Sequence, residues 1–214
     1  MWPLDPYGVR QFSEDYPGMR IAPSRGSSMI MRGVFSFTAA PEGGQKITDH
    51  YQIEIEIPDA FPHALPTVKE TGRRIPRDRK YHVNYDSTLC LGSPLRLLHL
   101  ISIKPNLSGF AENCLVPYFY GLSDKLNNGG NFLFGELEHG VKGIVDDYQN
   151  LFGLQTEIQV NAVLKLLAMR RRVANKNNCP CGCGKKLGKC SFHRKLNEYR
   201  KLAPRSWFSK HKLY

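Results

Sequence analysis

The segment that most restricts this chain runs from Tyr51 to Ile57, where apolar and polar residues alternate without a fault until Pro58 stops them. A period of two places Tyr51, Ile53, Ile55 and Ile57 on one face and Gln52, Glu54 and Glu56 on the other, which is the pattern of a half-solvated antiparallel strand. Met29–Phe37 is apolar and aromatic, and Pro41-Glu42-Gly43-Gly44 is a turn by composition, so these two strands form a meander. Pro58, Pro62 and Pro66 then each fix φ and remove a backbone donor, which forces an extended path before Thr67–Glu70 resumes a strand.

Helical signals lie mostly downstream. A short helix is expected over Tyr7–Tyr16, anchored by Phe12 and ended by Pro17-Gly18. Gly72–Lys80 reads as basic loop, and Tyr81 to about Lys104 is aperiodic, with Gly92, Pro94 and Pro105 as breaks. Such irregular segments on a rigid scaffold are where functional residues concentrate. Asn106–Leu122 predicts a helix kinked at Pro117, and Leu137, Val141, Ile144, Val145, Tyr148 and Phe152 form one apolar stripe at helical spacing. A third helix is expected from an N-cap at Thr156, burying Val160, Val163, Leu164 and Leu167, with Arg170, Arg171 and Arg172 in its last turn. Strands, then an irregular segment, then helices predict an α+β fold.

Charge is distributed unevenly. The net charge is +11, yet Lys165–Tyr214 holds fifteen Lys or Arg against the single acid Glu198, a net +14, so the first 164 residues are net negative. That shift predicts a boundary at the polar run Asn175-Lys176-Asn177-Asn178. The expected organisation is a main domain over 1–155, a connecting helix over 156–174 and a basic tail over 175–214. No run of eighteen apolar residues occurs, and Met1-Trp2-Pro3-Leu4-Asp5-Pro6 lacks the basic flank and apolar core of a signal peptide, so no membrane association is expected. Of six cysteines, Cys179, Cys181, Cys183 and Cys190 crowd into twelve residues, whereas Cys90 and Cys114 stand apart. Clustering of that kind points to metal binding in a reducing cytoplasm rather than to disulfides.

Taken alone, Cys90 between Leu89 and Leu91 is a small apolar residue, and no spacing selects His63, His82 or His99 as its base. Its surroundings give it a second reading. The succession Tyr51–Ile57, Pro58-Asp59-Ala60-Phe61-Pro62, Pro66-Thr67-Val68, then His82-Val83-Asn84 and Leu89-Cys90-Leu91 resembles the ubiquitin-conjugating enzyme family, over roughly residues 29–152. The resemblance implies an antiparallel meander sheet with flanking helices. It also implies that Cys90 accepts the C-terminus of a ubiquitin-like modifier as a thioester from an activating enzyme. Asn84 corresponds to the residue supporting the oxyanion, and His82 to the one bracing the turn. Asp86 matches the acidic residue that orients an incoming amine and draws off its proton. Val83 stands in place of the usual proline, the Asn84-to-Cys90 interval is two residues shorter, and the following tryptophan is absent. Divergence of this degree resembles the bacterial conjugating-enzyme-like proteins. Acyl transfer between thiols is nearly isoenergetic, so an accessible thiol and an oxyanion donor suffice without a triad.

The segment Cys179–His193 resembles the SEC-C motif, with Cys179, Cys181 and Cys190 matching directly. The resemblance implies a closed, structural zinc site. Ser191 occupies the position of the fourth ligand; His193 is the expected substitute and Cys183 the alternative. The surrounding Lys and Arg, with Phe192, Tyr199, Trp207 and Phe208, suit nucleic acid or an acidic protein surface. Two functions therefore stand side by side: a modifier-conjugating enzyme with a zinc-bound recruiting tail, or a non-catalytic scaffold of the same fold whose basic tail binds nucleic acid or an acidic partner.

Overall fold

A computed structural model describes residues 5, 7–24, 26–130, 132, 140–211 and 213. Leu137, expected in a helical stripe, and the Met1–Leu4 start fall outside them. The chain divides into two compact units, Met1–Glu136 and Leu137–Tyr214.

The first unit opens with α1 (Val9–Asp15) and a four-stranded antiparallel meander of order β1-β2-β3-β4, built from β1 (Met19–Ala22), β2 (Met29–Ala39), β3 (Ile47–Ile57) and β4 (Thr67–Glu70). The alternation in Tyr51–Ile57 behaves as its period requires: Tyr51, Ile53, Ile55 and Ile57 are buried, and Gln52 and Glu56 are exposed. Register pairs Met31 with Ile55 and Phe35 with Tyr51, so one sheet face is continuous apolar surface. β1 carries no strong sequence signal, being four residues long. Its pairing depends on Gly33, whose φ is +150°, because a Cβ there would meet the Gly18 carbonyl oxygen at 2.1 Å.

Helices α2 (Pro94–Ile103), α3 (Leu107–Phe110) and α4 (Val116–Asn128) follow, α3 and α4 being joined by a π-helical turn over Ala111–Leu115. The expected kink at Pro117 takes this form: proline lacks the N–H for residue 113 and its ring crowds that carbonyl, and a wider turn just before it relieves both. Phe119 of α4 stacks on Tyr51 at 4.6 Å and lies 5.7 Å from Phe35, closing the core. α2 corrects the aperiodic reading of Tyr81–Lys104. Pro94, read as a break, occupies the first turn, where its missing N–H costs nothing, and Leu95, Leu97, Leu98 and Ile101 are buried behind it.

A polar network fixes the sheet to α4. Arg74 grips both oxygens of Asp49 at 2.6 and 2.8 Å, and Ser123 donates to Asp49 Oδ2 at 2.7 Å. The Tyr51 and Ser123 hydroxyls are 2.8 Å apart. Burial alone would raise the Asp49 carboxyl, but the hydrogen bonds from Arg74, Ser123 and the His50 N–H outweigh it and hold the group at about 2.

The second unit contains α5 (Val141–Phe152), α6 (Glu157–Ala168), α7 (Arg171–Ala174), α8 (Phe192–Leu202) and α9 (Arg205–Lys210). Helix α5, assigned from sequence to a main domain ending at 155, belongs here: Phe152 packs on Tyr199 at 4.8 Å, and the Tyr199 hydroxyl reaches the Leu151 carbonyl at 3.5 Å. Val145, Tyr148 and Phe152 of its stripe are buried, while Val141 is exposed. Thr156 caps α6 as expected, within a capping box closed by Gln159. The arginines expected in its last turn lie beyond it, since Met169 and Arg170 are extended. Arg200 of α8 supplies the positive charge instead, donating to the carbonyls of Leu166, Leu167 and Met169 at 2.7, 2.9 and 3.1 Å. Among the described residues no helix is long and apolar enough to cross a membrane.

Candidate functional site

In the second unit, four sulfur atoms converge. The Sγ atoms of Cys179, Cys181, Cys183 and Cys190 all lie within 4.8 Å of one another, with Cys179–Cys181 at 3.2 Å and Cys181–Cys190 at 3.7 Å. Local backbone chemistry explains the gathering. Gly182 and Gly184 adopt φ of +81° and +71°, which reverses the chain on either side of Cys183. Cys179 N–H donates to the Lys185 carbonyl at 2.8 Å, which closes the loop that carries Cys181 and Cys183, and Cys190 N–H donates to that of Leu187 at 3.0 Å in a local turn.

The asparagine run is part of this structure and not a linker. Leu187 N–H donates to the Asn177 carbonyl at 2.8 Å, Gly188 N–H to that of Asn175 at 3.0 Å, and Lys186 Nζ to Asn178 Oδ1 at 2.9 Å. With Leu187 and Leu196 buried beneath it, the cysteine segment is built into the unit.

Cys183 completes the cluster; His193, expected as the fourth ligand, does not join it. The His193 Nδ1 donates to the Cys190 carbonyl oxygen at 2.6 Å, which fixes the imidazole from within the first turn of α8 and occupies that nitrogen. A tetrahedral ion with metal–sulfur bonds of about 2.3 Å has corners about 3.8 Å apart. The observed separations bracket that spacing, so the four cysteines can hold a metal ion. The Phe192 N–H, donating to the Cys190 sulfur at 3.5 Å, holds that thiol down at about 7, whereas burial and its crowded neighbours push the Cys179 thiol up.

In the first unit, Cys90 stands at the end of a small hairpin. Val83 and Leu89 form an antiparallel bridge, Cys90 N–H donates to the His82 carbonyl at 2.8 Å, and Asn84 N–H donates to that of Thr88 at 2.8 Å. The hairpin is fastened to the sheet by Leu89 N–H on the Val68 carbonyl at 2.8 Å and by a bridge between Thr88 and Lys69 of β4. Alternation along it sends Val83 and Leu89 into the core and leaves Asn84 and Cys90 on the other side. Cys90 is half-buried, and burial raises its thiol despite a backbone hydrogen bond at Gly92.

His82 adopts a left-handed backbone, φ +54°, and its ring meets Phe132 edge-on at 4.7 Å. Asn84 and Asp86 are brought together, but with Thr88: Asn84 Nδ2 donates to Thr88 Oγ1 at 2.9 Å, and the Thr88 hydroxyl and N–H donate to Asp86 Oδ1 at 2.6 and 3.1 Å. Those bonds from Thr88 lower the Asp86 carboxyl. Among the described residues neither Asn84 nor Asp86 hydrogen-bonds to Cys90. Tyr118 is a member of the site that sequence reasoning missed. Its hydroxyl donates to the Tyr81 carbonyl at 2.9 Å, just before the hairpin, and burial, with a smaller contribution from charge at Cys90, pushes that hydroxyl up. Its position in an apolar helix gave no local sign of this. Cys114 is buried, and burial alone pushes its thiol up to about 12, consistent with a packing role.

No protein-family model matches the chain, and neither a curated protein nor a solved structure matches it.

Proposed function

We propose that this protein is a conjugating enzyme of the ubiquitin-conjugating type, carrying a ubiquitin-like modifier on Cys90, with zinc as the structural ion of its second unit. The observation that carries the reading is the setting of Cys90: a half-buried thiol on a hairpin pinned to β4, downstream of the proline-spaced exit of β3 and shortly before the N-terminus of α2.

In the first step the Cys90 sulfur attacks the thioester carbonyl of the modifier on its activating enzyme. A new S–C bond forms, the old one breaks, and the activating enzyme's thiol leaves with the proton. In the second step an acceptor amine attacks, a C–N bond forms, the C–S bond breaks, and Cys90 recovers a proton. A thiol raised by burial is a poor leaving group, so the thioester persists until an amine is correctly placed. Asn84 is the candidate oxyanion donor and Asp86 the candidate acceptor of the amine proton, both steered by Thr88; His82 braces the turn through its backbone.

Incubation with the activating enzyme, modifier and ATP gives a thiol-sensitive adduct that C90A cannot form. An adduct surviving in C90A overturns the assignment. The engagement of Asn84 with Thr88 favours a second reading, a scaffold of the same fold without catalysis. Complete absence of a thioester on the wild-type chain, with binding of a partner retained, selects it.

A further inference from the structure

The second unit holds a cavity of about 520 Å³ walled by Arg170, Arg171, Arg200 and Arg205, over a floor whose accessible apolar surface comes from Met169 and Pro204, with Leu167 and Phe208 buried beneath it. No acidic residue lines it. Among the described residues none of the four arginines forms an ion pair with a carboxylate, and the last fifty residues, to which they belong, hold fifteen of the chain's thirty Lys and Arg against one acid. Arg200 is held in place by three helix carbonyls, and its buried Nε has no hydrogen-bond partner. Its guanidinium is depressed first by burial and then by the charges of Arg171 and Arg205, so the cluster is repulsive by itself. An anion relieves that repulsion.

The choice of anion follows from the floor. A stretch of Asp and Glu offers carboxylates without a flat apolar face, whereas a nucleotide joins a phosphate to one. Guanidinium forks match phosphate oxygens in pairs, and an apolar floor under them accepts a base. A duplex keeps its bases stacked inside, out of reach of a concave pocket, while a single strand presents them. We propose that this cavity binds a nucleotide of a single-stranded nucleic acid, its phosphate on Arg170, Arg171 and Arg205 and its base against Met169 and Pro204.

The test is fluorescence anisotropy of a labelled single-stranded RNA on the full chain over a salt series. R171A/R205A removes two exposed arginines and weakens binding by roughly tenfold, and the slope of log affinity against log salt falls by about 1.4. The control K165A/K176A removes the same charge from exposed positions outside the cavity and changes affinity much less. Far-UV circular dichroism verifies that each variant is folded; if the double variant is not, R170A reads a slope change of about 0.7. Equal losses in the two double variants overturn the proposal, as does displacement of the RNA by polyglutamate at equal charge. Displacement by free AMP with the affinity of the strand also overturns it, in favour of a free-nucleotide site. The C90A chain binds RNA as tightly as wild type, so failure here leaves the thioester reading untouched.

Discussion

Replacing Cys183 with alanine tests the metal centre where sequence and structure part company. The four sulfur atoms lie within 4.8 Å of one another, close to the edge length of about 3.8 Å that zinc–thiolate bonds impose. Each cysteine would then supply one corner of a tetrahedron around a zinc ion. A four-ligand structural zinc site contributes about 10–16 kcal/mol at neutral pH, so one corner accounts for about 3 kcal/mol, or about two decades of affinity. H193A removes a hydrogen bond to the Cys190 carbonyl but no corner, a loss of about 1 kcal/mol. Competition against a chromophoric chelator measures both. Cobalt substitution supplies an independent reading, because sulfur-to-cobalt charge-transfer absorption falls in C183A and stays unchanged in H193A. Wild-type affinity in C183A, with the large loss in H193A, refutes the geometry from which the magnitude was worked.

Cys90, raised by burial, reacts with iodoacetamide with a half-maximal pH above the ordinary thiol value of about 8.5; an inflection at or below that value contradicts the burial. Asp49, held at about 2, contributes stability that is fully present above about pH 4, the unfolded carboxyl value, and is lost as pH falls through about 2. The contribution is on the order of 2 kcal/mol, and D49N removes it at neutral pH; urea titrations of both chains at pH 7 giving equal midpoints reject the network. R200M strands the carbonyls of Leu166, Leu167 and Met169 and destabilises the second unit by about 2–3 kcal/mol, read as a lowered thermal midpoint at constant metal occupancy; no change shows that the cap contributes nothing.

The sheet and the cysteine cluster were legible because both are local patterns. Strict alternation over Tyr51–Ile57 allows one orientation on a half-buried sheet, Thr156 and Gln159 form a capping box within four residues, and cysteines two to eleven residues apart meet when the glycines between them turn. The departures arise where contacts join distant residues. Pro94 interrupts a pattern or begins a helix according to whether a core waits for Leu95, Leu98 and Ile101. The choice of Cys183 over His193 turned on position: the Cys183 sulfur lies within 4.8 Å of the other three, and no His193 nitrogen joins them.

By itself, the sequence determined the period of β3, the stock of sulfur ligands and the concentration of positive charge in the last fifty residues, since each is a property of neighbours along the chain. Only the tertiary structure decided that Arg200 caps α6, which left Arg170 and Arg171 free to wall a cavity with Arg205. It alone brought the Tyr118 hydroxyl onto the Tyr81 carbonyl at the start of the Cys90 hairpin. Those arrangements join residues roughly thirty positions apart, and chain connectivity constrains such pairs so weakly that packing and hydrogen-bond satisfaction choose among them.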